Sequence, residues 1–290
     1  MTALLAATRA LHFVSLMVIF GGSAFAALLS QAKLNGPPVK TTSILFICAA
    51  TLAICSAIVW FCLIAGQMSG SWQGSIDPST LELTAFGTRF GRIFVGRGTG
   101  LGLLWIMCAV GMRPDRITIP ILAGLLLVSL APISHAAAGG RESPVFGTVN
   151  DAMHVLTAGF WLGGLMILAL LKVSIGKDSD GRISALRLFS SCGSLIVAVL
   201  IVTGLTNAAS ILPSSERSLH NAYVDVLLLK IGLASIMVVL AATNRWHFVP
   251  ALRRNEIRAA GYLAVSIWTE IILGMTVVGI TGYLGLMAPH

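Results

Sequence analysis

Four of the six histidines, His12, His135, His154 and His290, lie within or close to the same end of four different apolar runs. His220 sits in a loop on that side, and only His247 falls at the opposite end. An imidazole at membrane depth is costly unless it bonds or binds something. The plainest use is a hydrogen bond to a neighbouring carbonyl or packing between helices. The chemical use is metal ligation, since imidazole suits copper and zinc while thioethers favour copper(I). Met153 precedes His154, and Met287 lies three residues before His290. We therefore expect His12, His135 and His154 to form a metal site at one face of the membrane, with Met153 and His290 as outer contacts.

Three further groups could carry charge inside the apolar runs: Lys230, Glu270 and Arg97. Such groups usually face a partner or a watery cavity. A Lys230–Glu270 pair would be either a structural ion pair or part of proton or ion coupling. Cys48, Cys55 and Cys62 recur every seven residues and so share one stripe of a helix, as a soft-ligand track or as small-residue packing. The sequence has no P-loop, GxSxG or HExxH, which argues against a hydrolase or an ATPase and for a protein that is not an enzyme.

The elements that position these residues follow from composition. The chain is 56% hydrophobic and 10% charged, against roughly 25% charged in a soluble domain. With so few polar residues to cover a core, the lipid bilayer must be its solvent. A helix needs about 20 apolar residues to cross the hydrocarbon. Eight windows meet that test, at about 7–30, 43–66, 92–112, 117–138, 149–172, 186–211, 222–244 and 258–287. The expected fold is an all-α membrane protein of about eight transmembrane helices. The net charge of +8 falls in short loops, not on one continuous face, which argues against nucleic acid.

Those loops also set orientation. One side holds Lys33, Lys40, Arg113, Arg116, Lys172, Lys177, Arg182, Arg187, Arg245, Arg253, Arg254 and Arg258, and the other Arg9, Arg89, Arg92, Arg141 and Arg217. This imbalance predicts that both termini and the histidine-bearing ends face outward, to the periplasm in a bacterium. The segment 67–91 is expected to lie along the outer interface.

A shift of 142 residues places His12 on His154 and Gly21-Gly22 on Gly163-Gly164. This predicts two parallel four-helix repeats, 1–140 and 141–290, whose glycine pairs let helices approach closely.

Several short pieces in order complete the pattern. They are His154 with Gly159-Phe160-Trp161-Leu162-Gly163-Gly164-Leu165, Thr203-Gly204 with Asn207, and Tyr223 through Leu228-Leu229-Lys230. Leu240-Ala241-Ala242 with Asn244-Arg245 and Pro250, then Glu270 with Leu273-Gly274, follow them, and Ser134-His135-Ala136-Ala137 stands upstream. The sequence thereby resembles the copper resistance D (CopD) family of bacterial inner-membrane proteins. The resemblance implies copper handling at the inner membrane, with copper moving from periplasm toward cytoplasm, and a small periplasmic copper carrier as partner. Two alternatives remain open. One is a haem b-binding, cytochrome-like electron-transfer protein or copper reductase, with His12 and His135 as axial ligands. The other is an assembly partner whose histidines only recruit a metallochaperone.

Overall fold

The structure, a computed structural model, describes residues 1–113, 115–130, 144–171, 179–211, 222–254 and 258–287. It is an all-α membrane protein. The helices are α1 (Thr2–Gln31), α2 (Val39–Ser69), α3 (Pro78–Gly87), α4 (Arg89–Ala109), α5 (Thr118–Val128), α6 (Pro144–Leu170), α7 (Ser179–Ile211) and α8 (Ala222–Thr243). A π-helical turn, Asn244–Phe248, continues α8 into the short α9 (Val249–Arg253), and α10 (Ala259–Leu284) closes the order.

Among the described residues six helical stretches are long and apolar enough to span a membrane: those of α1, α2, α6, α7, α8 continued through α9, and α10. The expected count of eight is not reached by this measure. α4 runs for 21 residues but carries Arg89, Arg92 and Arg97. α5 has 11 residues, and positions 131–138 of its expected span lie outside the described residues.

Local chemistry explains the boundaries between α2 and α4. α2 starts after Pro38 and stops at Gly70, whose φ of +69° is a backbone conformation that glycine adopts without Cβ strain. Asp77 then caps α3, accepting from the Thr80 N–H at 2.8 Å and from the Ser79 and Thr80 hydroxyls, with Pro78 at the first helical position. These donors hold the Asp77 carboxyl below its usual range. Thr88 caps α4 through the Gly91 N–H at 2.8 Å.

The centre of the molecule is the packing of α1 on α6. Little apolar burial drives helices together inside lipid, so close approach of backbones must supply contact energy. Glycine makes that approach possible here. A Cβ on Gly21 would lie 2.0 Å from the Gly159 carbonyl oxygen, and one on Gly163 would lie 2.4 Å from the Gly22 nitrogen and 2.6 Å from the Met17 carbonyl oxygen. Each glycine thus meets the backbone of the other helix, and Gly21/Gly163 and Met17/Gly159 are both pairs 142 positions apart. α2 and α5 flank α1 on one side, while α7 flanks α6 on the other, and α10 touches both central helices.

The cysteine stripe does not line this interior. Cys48 and Cys55 are exposed and Cys62 is half-buried, so the stripe turns to the outer surface of α2.

Gly163→Ala is expected to lower the stability of the detergent-solubilised protein by about 1–3 kcal/mol through backbone overlap. Gly279→Ala, at a position where a Cβ meets nothing within 4 Å, is expected to leave it unchanged. Thermal unfolding of the two variants side by side measures the difference.

Candidate functional site

His12 comes from the N-terminal half of α1 and is fully buried, with no exposed surface. Its Nδ1 lies 3.0 Å from the Ala53 carbonyl oxygen and 3.3 Å from Ser56 Oγ, both on α2. A carbonyl only accepts, so Nδ1 carries the proton. The other nitrogen, Nε2, is 2.8 Å from Nη2 of Arg97 on α4. Guanidinium only donates, so Nε2 is the acceptor. One tautomer satisfies both contacts, and both ring nitrogens are engaged.

Arg97 is itself 4% exposed. Its Nη1 donates to the Leu126 carbonyl oxygen and to Ser129 Oγ beyond the end of α5, and Ser129 passes its own proton to the Leu126 carbonyl. Trp60 closes the site edge-on to the His12 ring at 5.7 Å, and Arg9 lies over the Trp60 ring at 5.4 Å. This cluster ties α1, α2, α4 and α5 together through polar contacts that hydrocarbon cannot offer.

His154 occupies the matching place on α6 in different surroundings. Its Nδ1 is 2.9 Å from Oγ1 of Thr203 on α7. That hydroxyl donates to the Val199 carbonyl oxygen at 2.6 Å and so accepts from His154. Nε2 is then the unprotonated nitrogen, and it has no hydrogen-bond partner among the described residues. One turn nearer the start of α6, Asn150 donates to the Thr203 carbonyl oxygen at 3.1 Å and to Asn207 Oδ1 at 2.7 Å. Lys230 of α8 interacts electrostatically with both His154 and Asp151.

The structure therefore gives His12 and His154 separate neighbourhoods. The single site expected of them is not assembled among the described residues: His12 points at α2 and α4, and His154 at α7. His12 offers no free lone pair, either to copper or to a haem iron clamped with His135. His135 and His290 lie outside the described residues, as does His220. Met153 is exposed on the outer surface of α6. Among the described residues no group of three or more His, Cys, Asp and Glu is placed to hold a metal.

The expected Lys230–Glu270 ion pair does not form. Glu270 is 1% exposed and accepts from Trp161 Nε1 at 3.2 Å and from Asn244 Nδ2 at 2.5 Å. Lys230 and Glu270 sit at different depths and their helices turn them to different neighbours. Ser56 and Asn150 are not singled out by the sequence, and Thr203 and Trp161 stand there only as parts of the resemblance pattern. Each is an ordinary helix residue, marked only by the group it bonds: His12 for Ser56, Thr203 and Asn207 for Asn150, His154 for Thr203 and Glu270 for Trp161.

Comparison with known proteins adds the following. Residues 1–142 match the family described as copper resistance protein D-like, N-terminal domain, and residues 183–284 match copper resistance protein D. Residues 143–182, with His154, lie between the two matched stretches. The chain is 29% identical over 286 residues to the inner membrane protein YebZ of Escherichia coli, covering 98% of this chain and 97% of that one. It is 26% identical over 300 residues to copper resistance protein D of Pseudomonas syringae, covering 98% and 96%. It is 27% identical over 282 residues to the copper transport protein CutJ of Bacillus subtilis, covering 94% of this chain and 50% of that one. No solved structure matches.

The closed state of His12 yields a measurable coupling. Arg97→Met and His12→Phe are each expected to destabilise the protein, since buried polar partners left unpaired cost about 1–3 kcal/mol. The double variant should lose less than the sum, with a coupling of about 1 kcal/mol or more in a double-mutant cycle of unfolding free energies. Additivity would mean that the two side chains do not hold each other.

Proposed function

The chain belongs to the copper resistance protein D family, and on that premise we propose that it moves copper across the bacterial inner membrane, from periplasm toward cytoplasm, with His154 as its first intramembrane ligand. The observation that carries the reading is the state of the two imidazoles. Arg97 occupies the metal-binding lone pair of His12, whereas the hydrogen bond to Thr203 fixes the His154 tautomer and leaves its Nε2 open. A second-shell hydrogen bond of this kind is what orients a metal-ligating histidine. Asn150 and Asn207 steady the same corner, and Lys230 with Asp151 sets its charge.

In this reading His135, His290 and Met153 come from the outward face to complete the coordination, since an ion that must be released needs a loosely assembled shell. His12 serves the first half as a structural anchor, and it becomes a ligand only if Arg97 moves away. The two halves, 1–140 and 141–290, are related repeats, one with its histidine closed by an internal cation and one with its histidine open to an external one. Both termini face the periplasm, where a small copper carrier delivers the ion to the bilayer-embedded site. Copper is cargo here and not a catalyst's cofactor.

The arrangement separates two kinds of variant. Purified protein is titrated with copper, and the bound metal counted. His154→Ala is expected to abolish binding at the site, and Thr203→Val to weaken it by about tenfold, the usual loss when a ligand's orienting partner is removed. Asn150→Ala, one turn further out, should weaken it less than Thr203→Val. Unchanged stoichiometry and affinity in a folded His154→Ala protein would remove the proposed site.

A further inference from the structure

Two turns inward from His154, the same face of α6 carries Trp161, because seven residues are nearly two whole turns and about 10 Å of helix. Trp161 leads to a second polar centre. Its indole N–H donates to Oε2 of Glu270 on α10, and Oε1 of the same carboxyl lies 2.5 Å from the Asn244 side chain at the start of the π-helical turn. π-helical turns inside α-helices recur at functional sites. Beside this centre is a cavity of about 460 Å³, lined by α6, α7, α8 and α10, with Ser190, Ser194, Asn244, Arg245 and Glu270 as its polar members.

Glu270 is buried without a counter-charge. The single ion pair among the described residues is Arg113–Asp115. The other charged group in the cavity, Arg245, is bonded to Ser190 and Ser194 of α7. From the remaining elements packed on α10, Arg9 of α1 bonds the Gly285 carbonyl and His12 bonds Ala53 and Arg97. Asp151 and His154 of α6 and Asp225 and Lys230 of α8 lie two or more turns outward along their helices. His247 and Arg254 face a separate pocket with Tyr262. An ionised carboxylate in such a place is expensive, and a neutral carboxylic acid is not.

The geometry agrees with the acid. Oε1 to Asn244 is 2.5 Å, at the short end for O–H···O and below the normal range for N–H···O. Half a turn of the amide exchanges its oxygen and nitrogen, and Oδ1 then accepts a proton held on Glu270 Oε1.

We propose that Glu270 is an exchangeable-proton site, a neutral acid in this state, which takes up and releases its proton through the cavity between α7 and α8. The step moves one proton between the carboxyl oxygen and water in the cavity, and changes no other bond. The site stands whether or not copper is the cargo, since it uses none of the residues assigned to the metal.

Infrared spectroscopy of the protein in lipid tests it. A protonated-carboxyl C=O stretch that vanishes in Glu270→Gln is expected at neutral pH, to fade reversibly as pH rises, and to shift in deuterated water. If Glu270→Gln fails to fold, isotopically labelled glutamate narrows the band to the five glutamates, and Glu270→Asp, which keeps a carboxyl, should shift it. Gly193 lines the cavity and a Cβ there meets nothing within 4 Å, so Gly193→Trp is the variant chosen to place an indole against the cavity. It should slow deuterium exchange of that band severalfold at unchanged unfolding temperature. Absence of the band in folded protein at neutral pH overturns the proton, and exchange indifferent to Gly193→Trp overturns the route.

Discussion

Hydrocarbon supplies no hydrogen-bond partner, so every polar group that this chain carries to membrane depth must find one inside the protein. That constraint shapes three places. At His12 it is met on both ring nitrogens, by a chain of donors from Arg97 to His12 and from His12 to the Ala53 carbonyl, while Arg97 Nε is left without a partner among the described residues. Around His154 it is met on one ring nitrogen through Thr203 and left open on the other. Around Glu270 it is met by an indole and an amide, with no ion pair among the described residues. Proposed copper handling and proton exchange both rest on where satisfaction stops.

The helix contact that makes this possible is the crossing of α1 on α6. Because Gly21 and Gly163 each lie against the other helix's backbone, the two histidine-bearing helices share one seam while their imidazoles turn outward from it into different groups of helices. A larger side chain at the seam would separate the helices and tilt both imidazoles away from Ser56 and Thr203. The glycines therefore act on the chemistry only through position, and the seam supplies rigidity to two sites at once.

Much of this was legible in the residues. The apolar runs located the long helices, with ends off by up to seven positions in α7 and with α3 not foreseen, and the 142-residue spacing picked out the very glycines that meet at the seam. The histidines were found by their depth. Their roles were not, because a histidine's availability depends on which helix faces each nitrogen. Arg97 lies 85 positions from His12, and nothing in either neighbourhood announces that one caps the other. The Lys230–Glu270 pairing failed for a related reason. Opposite charges at membrane depth suggest a pair, but helix rotation aimed Glu270 at Trp161 and Asn244, while Lys230 went to the level of Asp151 and His154. The sevenfold cysteine spacing was a true stripe, yet it faces outward, since periodicity fixes that residues share a face and not which face is buried.

Nitrogen NMR of histidine-labelled protein in lipid bilayers, recorded with and without copper, reads the state of each imidazole directly. His12 and His154 are assigned by single replacement. The account predicts that the His154 Nε2 signal alone of these two responds, shifting with copper(I) or broadening away with copper(II), while both nitrogens of His12 keep their hydrogen-bonded positions. A His12 signal that moves with copper while His154 stays still would contradict it.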